Sequence, residues 1–305
     1  MPVKNISLST RSQNGTLSSP RKMEKFNNWI IESMLTEVGC TPKPGLVDLY
    51  NSGSHHDMNY NTFVKSTYSL ESTFEKCIFA GFKHDKKLSD LFPKLQEIGL
   101  EGEEKMYKAT GGINTQKGLI FSMAIIAAAG GYALRQNLLL KVKNIIPLVK
   151  RITRGLVARN FSGIKNKCSS KLTAGEKAFI KYNISGIRGE VEAGFPSVCN
   201  ISLPTLNKFI EKGFGFNDSL LASLLALMSQ VKDTTIISRG GSDSLDWMHN
   251  YAAAIYSEYI TAGSKTRTDL LKQMNAMFVA RNLSPGGCAD LLAVTVLFYF
   301  LEEKL

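Results

Sequence analysis

One apolar run, Gly118 to Leu134 (GLIFSMAIIAAAGGYAL), constrains the fold more than any other part of this sequence. It is short of the roughly 20 apolar residues that a helix needs to cross a bilayer. It also contains Ser122 and three glycines. A helix that is apolar on every side must be surrounded by other elements. The run therefore predicts the central, buried helix of a helical bundle rather than a membrane span.

The rest of the chain shows helical spacing and almost no sign of strands. Neither sustained alternation of β-branched residues nor an Asn-Gly turn between apolar runs is present. Apolar residues recur at helical intervals instead, as in the segment that ends at Gly39. The pattern predicts an all-α fold, a single domain of ten or more helices over residues 23–305 with its active-site loops at helix ends. The predicted helical segments include 26–38, 63–83, 145–159, 174–183, 219–232, 245–261, 267–281 and 289–301.

Residues 1–22 differ in composition from the remainder. They are rich in Ser, Thr and Asn and carry basic side chains without an acidic one. No apolar core of signal-peptide length is present. We expect a disordered basic tail, and a transit peptide is the alternative.

Charge and cysteine content narrow the class of protein further. The formal charge of +11 favours polyanionic partners such as nucleic acid, anionic membrane or phosphate-rich small molecules. The five cysteines are odd in number and never form a Cys-x-x-Cys pair, which argues against a disulfide framework and a cysteine zinc site. They indicate reduced thiols and a cytoplasmic protein.

Glycine- or proline-bearing loops with charged residues separate the predicted helices. Loops held at fixed geometry are frequent locations of functional residues. Five stand out, at residues 37–58, 111–118, 185–196, 233–241 and 284–290.

The first of these loops has the densest set of polar residues. Prolines on both sides of Lys43 stiffen the chain, so that this lysine can face a phosphate at low entropic cost. We expect His55 to hydrogen-bond a ligand or the backbone rather than to bind zinc. The loop also supplies carboxylates suited to Mg²⁺, although they could instead be solvated or cap a helix. These candidate metal ligands are Glu37, Asp48 and Asp57.

The second loop leads directly into the apolar helix. Asn114 and Lys117 lie beside glycines at a helix N-terminus, a combination that favours anion binding. The spacing of a Walker A loop is absent. Helix capping by Asn114 or Thr115 is the alternative.

The third and fourth loops combine arginines with carboxylates. Arg188 can present a bidentate fork to phosphate, with Glu190 and Glu192 nearby as a base or metal ligand. Alternatively, Arg188 and Glu192 form an intrahelical pair. The fourth loop likewise combines a carboxylate, Asp233, with an arginine, Arg239, that is followed by two glycines.

The sequence motifs of these loops resemble those of the triphosphoribosyl-dephospho-CoA synthase family. The matching stretches are TPKPGLVD followed by NSGSHHDM, then NTQKGLIF, GIRGEVEAGFP, the Asp233 to RGG segment, and SPGGCADLLA. They follow the family order from about residue 24 to the C-terminus. The chain departs from the family pattern at Gln116, Thr235 and Cys288. The first departure makes an acid–base role at position 116 doubtful.

The resemblance implies that the 2′-hydroxyl of 3′-dephospho-CoA attacks C1′ of ATP's ribose and that adenine leaves through an oxocarbenium-like state. The product would be the prosthetic-group precursor for citrate lyase or malonate decarboxylase, passed to a separate transferase that acts on the acyl carrier protein. The resemblance assigns triphosphate binding to Lys43, Lys117, Arg188 and Arg239, with Mg²⁺ held by the three carboxylates of the first loop. Glu190 is the first candidate for the catalytic carboxylate, followed by Glu192 and Asp233.

Two other functions fit parts of the sequence. A helical kinase-like phosphotransferase would use the same cations and Mg²⁺, but it would release ADP instead of adenine. A nucleic-acid-binding helical protein would explain the charge, but it would cluster basic residues on one helix face. Here the cations lie in glycine-bearing loops beside acids, which favours a small polyanion and argues against nucleic acid or membrane as the partner.

Overall fold

The protein is all-α, which confirms the predicted fold class. The computed structural model describes residues 19–162, 164 and 172–304, and within these ranges no strand occurs. The described part of the chain forms fourteen α-helices, more than the ten predicted as a minimum. Their bounds are α1 Ser19–Gly39, α2 Tyr60–Ser69, α3 Glu71–Lys83, α4 Phe92–Thr110, α5 Lys117–Arg135, α6 Val142–Thr153, α7 Leu156–Phe161, α8 Ala174–Tyr182, α9 Gly186–Glu192, α10 Leu203–Glu211, α11 Phe216–Met228, α12 Thr234–Tyr259, α13 Ser264–Ala280 and α14 Gly286–Glu303.

The apolar run forms α5, which packs against α1, α3, α4, α6 and α14. Two glycines permit this close packing. A Cβ atom at Gly81 would collide with the backbone of Ala128, and one at Gly131 would collide with the backbone of Ile78. By length and composition α5 could span a membrane, but 78% of its most apolar window is buried inside the fold. Its apolar surface is therefore covered by neighbouring helices, as in the core helix of a bundle.

Several helix boundaries differ from the sequence predictions. Helix α1 begins at Ser19, within the segment predicted as a tail, and residues 1–18 lie outside the described part of the chain. The segment predicted as one helix over 63–83 is divided at Leu70 into α2 and α3. The segment predicted over 145–159 is divided by Gly155, whose φ of 76° lies in the left-handed region.

Helix α12 includes most of the fourth predicted loop. It starts at Thr234, directly after the capping residue Asp233, and is interrupted at Gly241, where φ is 75° and ψ is −170°. Ser238 and Arg239 therefore lie on the first turns of a helix rather than on an irregular loop. Four of the five cysteines fall in the described residues, and all four are free thiols, while Cys168 lies outside them.

Candidate active site

Four of the five charged loops converge on one cavity of about 280 Å³. It lies where the C-terminal end of α1 and the N-terminal ends of α5, α12 and α14 meet. The third loop does not reach it. Its polar lining includes Glu37, Lys43, His55, Asn114, Thr115, Gln116, Lys117, Thr235, Ser238, Arg239, Ser284 and Asp290.

Asp48 shapes the loop that carries Lys43 and His55. Its carboxylate accepts hydrogen bonds from the backbone N–H groups of Lys43 (2.9 Å), Tyr50 (2.8 Å) and Asn51 (3.0 Å). The side chain of Asn51 donates a fourth, of 3.0 Å. Asp48 is buried and does not line the cavity. Its carboxylate oxygens are therefore engaged by the loop itself.

Lys43 and Glu37 form a buried ion pair at the cavity wall. The Nζ atom of Lys43 contacts the Glu37 carboxylate and donates to the Glu37 carbonyl oxygen at 2.8 Å. Burial raises the pKa of Glu37, and the adjacent Lys43 charge opposes that rise. Both residues line the cavity as predicted from the sequence. The lysine is held rigidly because its stem has no access to solvent.

His55 and Arg239 lie side by side in the cavity lining. Arg239 donates to the carbonyl oxygens of Ser54 (3.0 Å) and Asn282 (3.2 Å), which fixes its guanidinium beside the imidazole. His55 Nε2 lies 2.9 Å from Ser284 Oγ. Burial, followed by the Arg239 charge, lowers the pKa of His55. The ring is thus held as a neutral hydrogen-bonding group.

The second loop contributes the N-terminus of α5. The Oδ1 atom of Asn114 accepts a hydrogen bond from the backbone N–H of Lys117, the first residue of α5, at 3.2 Å. The N-cap residue itself is Gln116, whose side chain makes no capping hydrogen bond. Lys117 Nζ pairs with Glu103 at 2.7 Å. Gln116 is buried, and its side-chain oxygen accepts from Ser66 Oγ at 2.7 Å. An amide at this position ties the loop to α2.

Asp233 joins the starts of α12 and α14. Its Oδ1 atom accepts from the N–H of Thr235 at 2.8 Å, and its Oδ2 atom accepts from the N–H of Cys288 at 2.9 Å. Thr235 Oγ1 donates to the Ser284 carbonyl oxygen at 2.7 Å. Asp233 is buried, does not line the cavity and caps α12, while its predicted catalytic role stays a prediction.

Glu190 and Glu192, the other two predicted catalytic residues, are also engaged elsewhere. Glu190 accepts from Ser197 Oγ at 2.5 Å and from Ser197 N–H at 3.2 Å. Glu192 accepts from the backbone N–H groups of Gly155 (2.5 Å) and Val157 (2.8 Å), at the start of α7. Neither carboxylate lines the cavity. The sequence placed them near an arginine correctly but could not show which way α9 faces.

Asp290 is the carboxylate that the sequence interpretation did not assign. It is half-buried on the first turns of α14 and lines the cavity. Within the described part of the chain its carboxylate has no hydrogen-bond or ion-pair partner. Burial, then the negative charges of Glu37 and Asp233, raise the pKa of Asp290 well above its ordinary value. An acid on an otherwise apolar helix is costly and could have signalled function.

The three predicted metal ligands do not form one ligand set. Asp48 is committed to its loop, and Asp57 is exposed at 61% of its side chain. Among the described residues, no group of three or more His, Cys, Asp or Glu side chains is arranged to hold a metal ion. The carboxylates that do line the cavity are Glu37 and Asp290.

Arg188 lies in a second cavity, of about 240 Å³, between α4, α5, α7 and α9. Its guanidinium carbon lies 5.8 Å from the centre of the Phe161 ring. Lys117 lines both cavities, so the two are neighbours. Of the six predicted substrate-binding residues, five line the first cavity and Arg188 does not.

Comparison with known proteins gives matches over nearly the whole chain. A family model described as ATP:dephospho-CoA triphosphoribosyl transferase (CitG) matches residues 23–305. A Malonomonas rubra protein named probable 2-(5''-triphosphoribosyl)-3'-dephosphocoenzyme-A synthase is 37% identical over 271 residues, which cover 89% of this chain and 85% of the relative.

Two further relatives carry the same synthase name. The Pectobacterium atrosepticum protein is 36% identical, with 88% of this chain and 87% of the relative covered. The Streptococcus mutans protein, named as probable, is 34% identical, with 95% and 100% covered. No solved structure shows significant similarity. Because the family match includes every loop of the cavity, the chain belongs to the ATP:dephospho-CoA triphosphoribosyl transferase family.

Proposed function

We propose that this protein transfers the 5-triphosphoribosyl group of ATP to the 2′-hydroxyl of 3′-dephospho-CoA and releases adenine. The observation that carries the proposal is a single cavity whose lining contains three cations, Lys43, Lys117 and Arg239, together with the carboxylate of Asp290. Family membership supplies the two substrates. The product would go to a separate transferase that loads an acyl carrier protein, and we expect the enzyme to work in the cytoplasm.

The cations of the cavity suit the triphosphate. Lys43 and Arg239 are held by contacts to Glu37 and to backbone carbonyl groups, so they need little further ordering when an anion binds. Asn114 accepts from the first N–H group of α5, and the remaining free N–H groups and the dipole of that helix favour negative charge at the same place. His55, held neutral beside Arg239, can donate or accept a hydrogen bond without adding charge.

We assign the catalytic carboxylate to Asp290. In the transfer, the bond between C1′ and adenine N9 breaks and a bond between C1′ and the acceptor oxygen forms. The hydroxyl proton passes to the Asp290 carboxylate, whose raised pKa suits a general base. The same negative charge stabilises the positive charge that develops on the sugar. Adenine leaves as the neutral base after taking up a proton.

Mg²⁺ is the expected companion of the nucleotide. It commonly binds through one or two carboxylates together with substrate phosphates and keeps several waters. The carboxylates of the cavity lining are Glu37 and Asp290, and since Asp290 is assigned to the acceptor hydroxyl, Glu37 would hold the ion together with the phosphates. Bound there, Mg²⁺ would neutralise part of the phosphate charge. The cations of the cavity would bind the rest of the triphosphate.

The reaction is tested by product analysis. Purified protein is incubated with ATP, Mg²⁺ and 3′-dephospho-CoA, and the products are separated by chromatography and weighed by mass spectrometry. We expect free adenine and an acceptor whose mass has increased by one triphosphoribosyl group, in equal amounts. Release of ADP in place of adenine would indicate a phosphotransferase and would overturn the proposal.

A further inference from the structure

The second cavity is an apolar cleft next to the candidate active site, and we propose that it binds the pantetheine arm of 3′-dephospho-CoA. This inference rests on the proposed function and assigns one of its two substrates to a defined place. The cleft lies between α4 and α5 and is open to solvent along α4, where Leu100 is 61% exposed.

The chemistry of the cleft matches a pantetheine chain. Its floor is apolar and suits the methylene and dimethyl groups of the arm. The amide side chains of Gln96 and Asn160 at its sides can pair with the two amide groups of the arm. The floor is formed by Phe92, Leu95, Ile120, Phe121, Ala124 and Ile125.

Charge is distributed so that the pyrophosphate of the acceptor would lie between the two cavities. Lys117 lines both, and Arg188 lines the cleft. Glu103 is the one acidic residue of the cleft lining, and its pairing with Lys117 at 2.7 Å positions the ammonium group at the boundary. Because Lys117 and Arg188 outnumber the single carboxylate of Glu103, the boundary between the two cavities favours an anionic group.

This placement satisfies the connectivity of the acceptor. Its reactive hydroxyl must reach the cavity that contains Asp290, while its arm extends away from the ribose beyond the pyrophosphate. A boundary formed by Lys117, with the carboxylate on one side and the apolar cleft on the other, follows the same order. ATP carries no comparable arm and would use only the first cavity.

Gly99 offers a way to fill the cleft without disturbing the fold. It lines the cleft within α4, and a Cβ atom added there would meet no atom within 4 Å. Leucine also favours helix more than glycine does. We expect Gly99→Leu to raise the KM for 3′-dephospho-CoA by about tenfold or more, equivalent to about 1.4 kcal/mol of binding. The KM for ATP should stay within about twofold, a change of less than half a kcal/mol.

The matched control is Glu104→Leu, which adds the same side chain on the exposed side of α4 and outside the cleft lining. It should leave both KM values unchanged. A second measurement needs no variant: 4′-phosphopantetheine should inhibit the wild-type enzyme competitively against 3′-dephospho-CoA and not against ATP.

The outcomes separate this inference from the proposed function. If wild-type protein releases adenine but Gly99→Leu changes neither KM, the cleft does not bind the arm and the inference fails while the function stands. If only the KM for ATP rose, the cleft would belong to the nucleotide site, and the inference would again be overturned. Failure of 4′-phosphopantetheine to compete with the acceptor would count against it in the same way.

Discussion

The carboxylate of Asp290 occupies the space beside Gly118 that a Cβ atom at that position would fill. Gly118 is the second residue of α5, and Asp290 lies on the first turns of α14. The absence of a side chain on α5 therefore allows this carboxylate to sit directly against the helix N-terminus.

The first prediction concerns this contact. Gly118→Ala should displace the carboxylate and lower kcat by about 10²-fold, because misplacing a reacting group by an ångström can cost that much. Thermal stability should change little, since the side chain of Asp290 can rotate away. The measurement is steady-state release of adenine. The control is Gly263→Ala, at a position outside the cavity lining where the added Cβ meets no atom within 4 Å. An unchanged kcat in Gly118→Ala would refute the proposed contact.

The second prediction distinguishes Asp290 from Glu190. Asp290→Asn should lower kcat by about 10²–10⁴-fold with little effect on the KM for ATP, since it removes a carboxylate needed in the transition state. Glu190→Gln should leave kcat within about tenfold of wild type, because its carboxylate accepts from Ser197 outside the cavity lining. Single-turnover assays of both variants give the comparison. Equal losses in the two variants would restore Glu190 as the catalytic residue.

Much of this arrangement could be predicted from local sequence. The all-α class followed from helical spacing, and five cavity residues followed from cations, an amide and a histidine in loops with glycines or prolines. The carboxylate that we propose as catalytic could not be chosen in that way. Glu190, Glu192 and Asp233 lie in equally charged loops, but each accepts hydrogen bonds from partners distant in sequence or across a turn, such as Gly155 and Cys288.

The same limit explains Arg188 and Asp48. The direction in which short helix α9 faces depends on its packing against α6 and α7, which a local pattern does not contain. Asp48 has the composition of a metal ligand but serves as the hydrogen-bond centre of its loop. Asp290 ends the fifth charged loop, but it received no role because the local pattern does not show that its carboxylate lines the cavity.

The third prediction concerns stability and pH. Asp290 has a native pKa above its ordinary value, so the folded protein binds more protons than the unfolded chain over the interval between the two values. Stability attributable to this group therefore falls as pH rises through that interval. Asp290→Asn should melt at a higher temperature than wild type at pH 8, and the difference should disappear below about pH 4, the ordinary pKa of an aspartate. Differential scanning fluorimetry from about pH 4 to pH 8 measures this difference in melting temperature. The control is Asp57→Asn, which changes an exposed carboxylate. A variant that melts lower than wild type at pH 8 would show that Asp290 is stabilised in its charged form.

The fourth prediction concerns Asp233, whose carboxylate holds two helix starts together. Asp233→Ala should lower the free energy of unfolding by about 2–4 kcal/mol, because it removes a helix cap and leaves a buried N–H group without a partner. The unpaired group would be the N–H of Cys288, at the start of the helix that carries Asp290. Urea denaturation gives the measurement. The control is Asp246→Ala, which removes an exposed acid on the same helix α12 and should change the free energy of unfolding by less than about 0.5 kcal/mol.

Since the cap at Asp233 also positions Asp290, the residual folded enzyme should lose activity while its affinity for ATP is retained. Full stability combined with lost activity would instead indicate that Asp233 takes part in the chemistry directly.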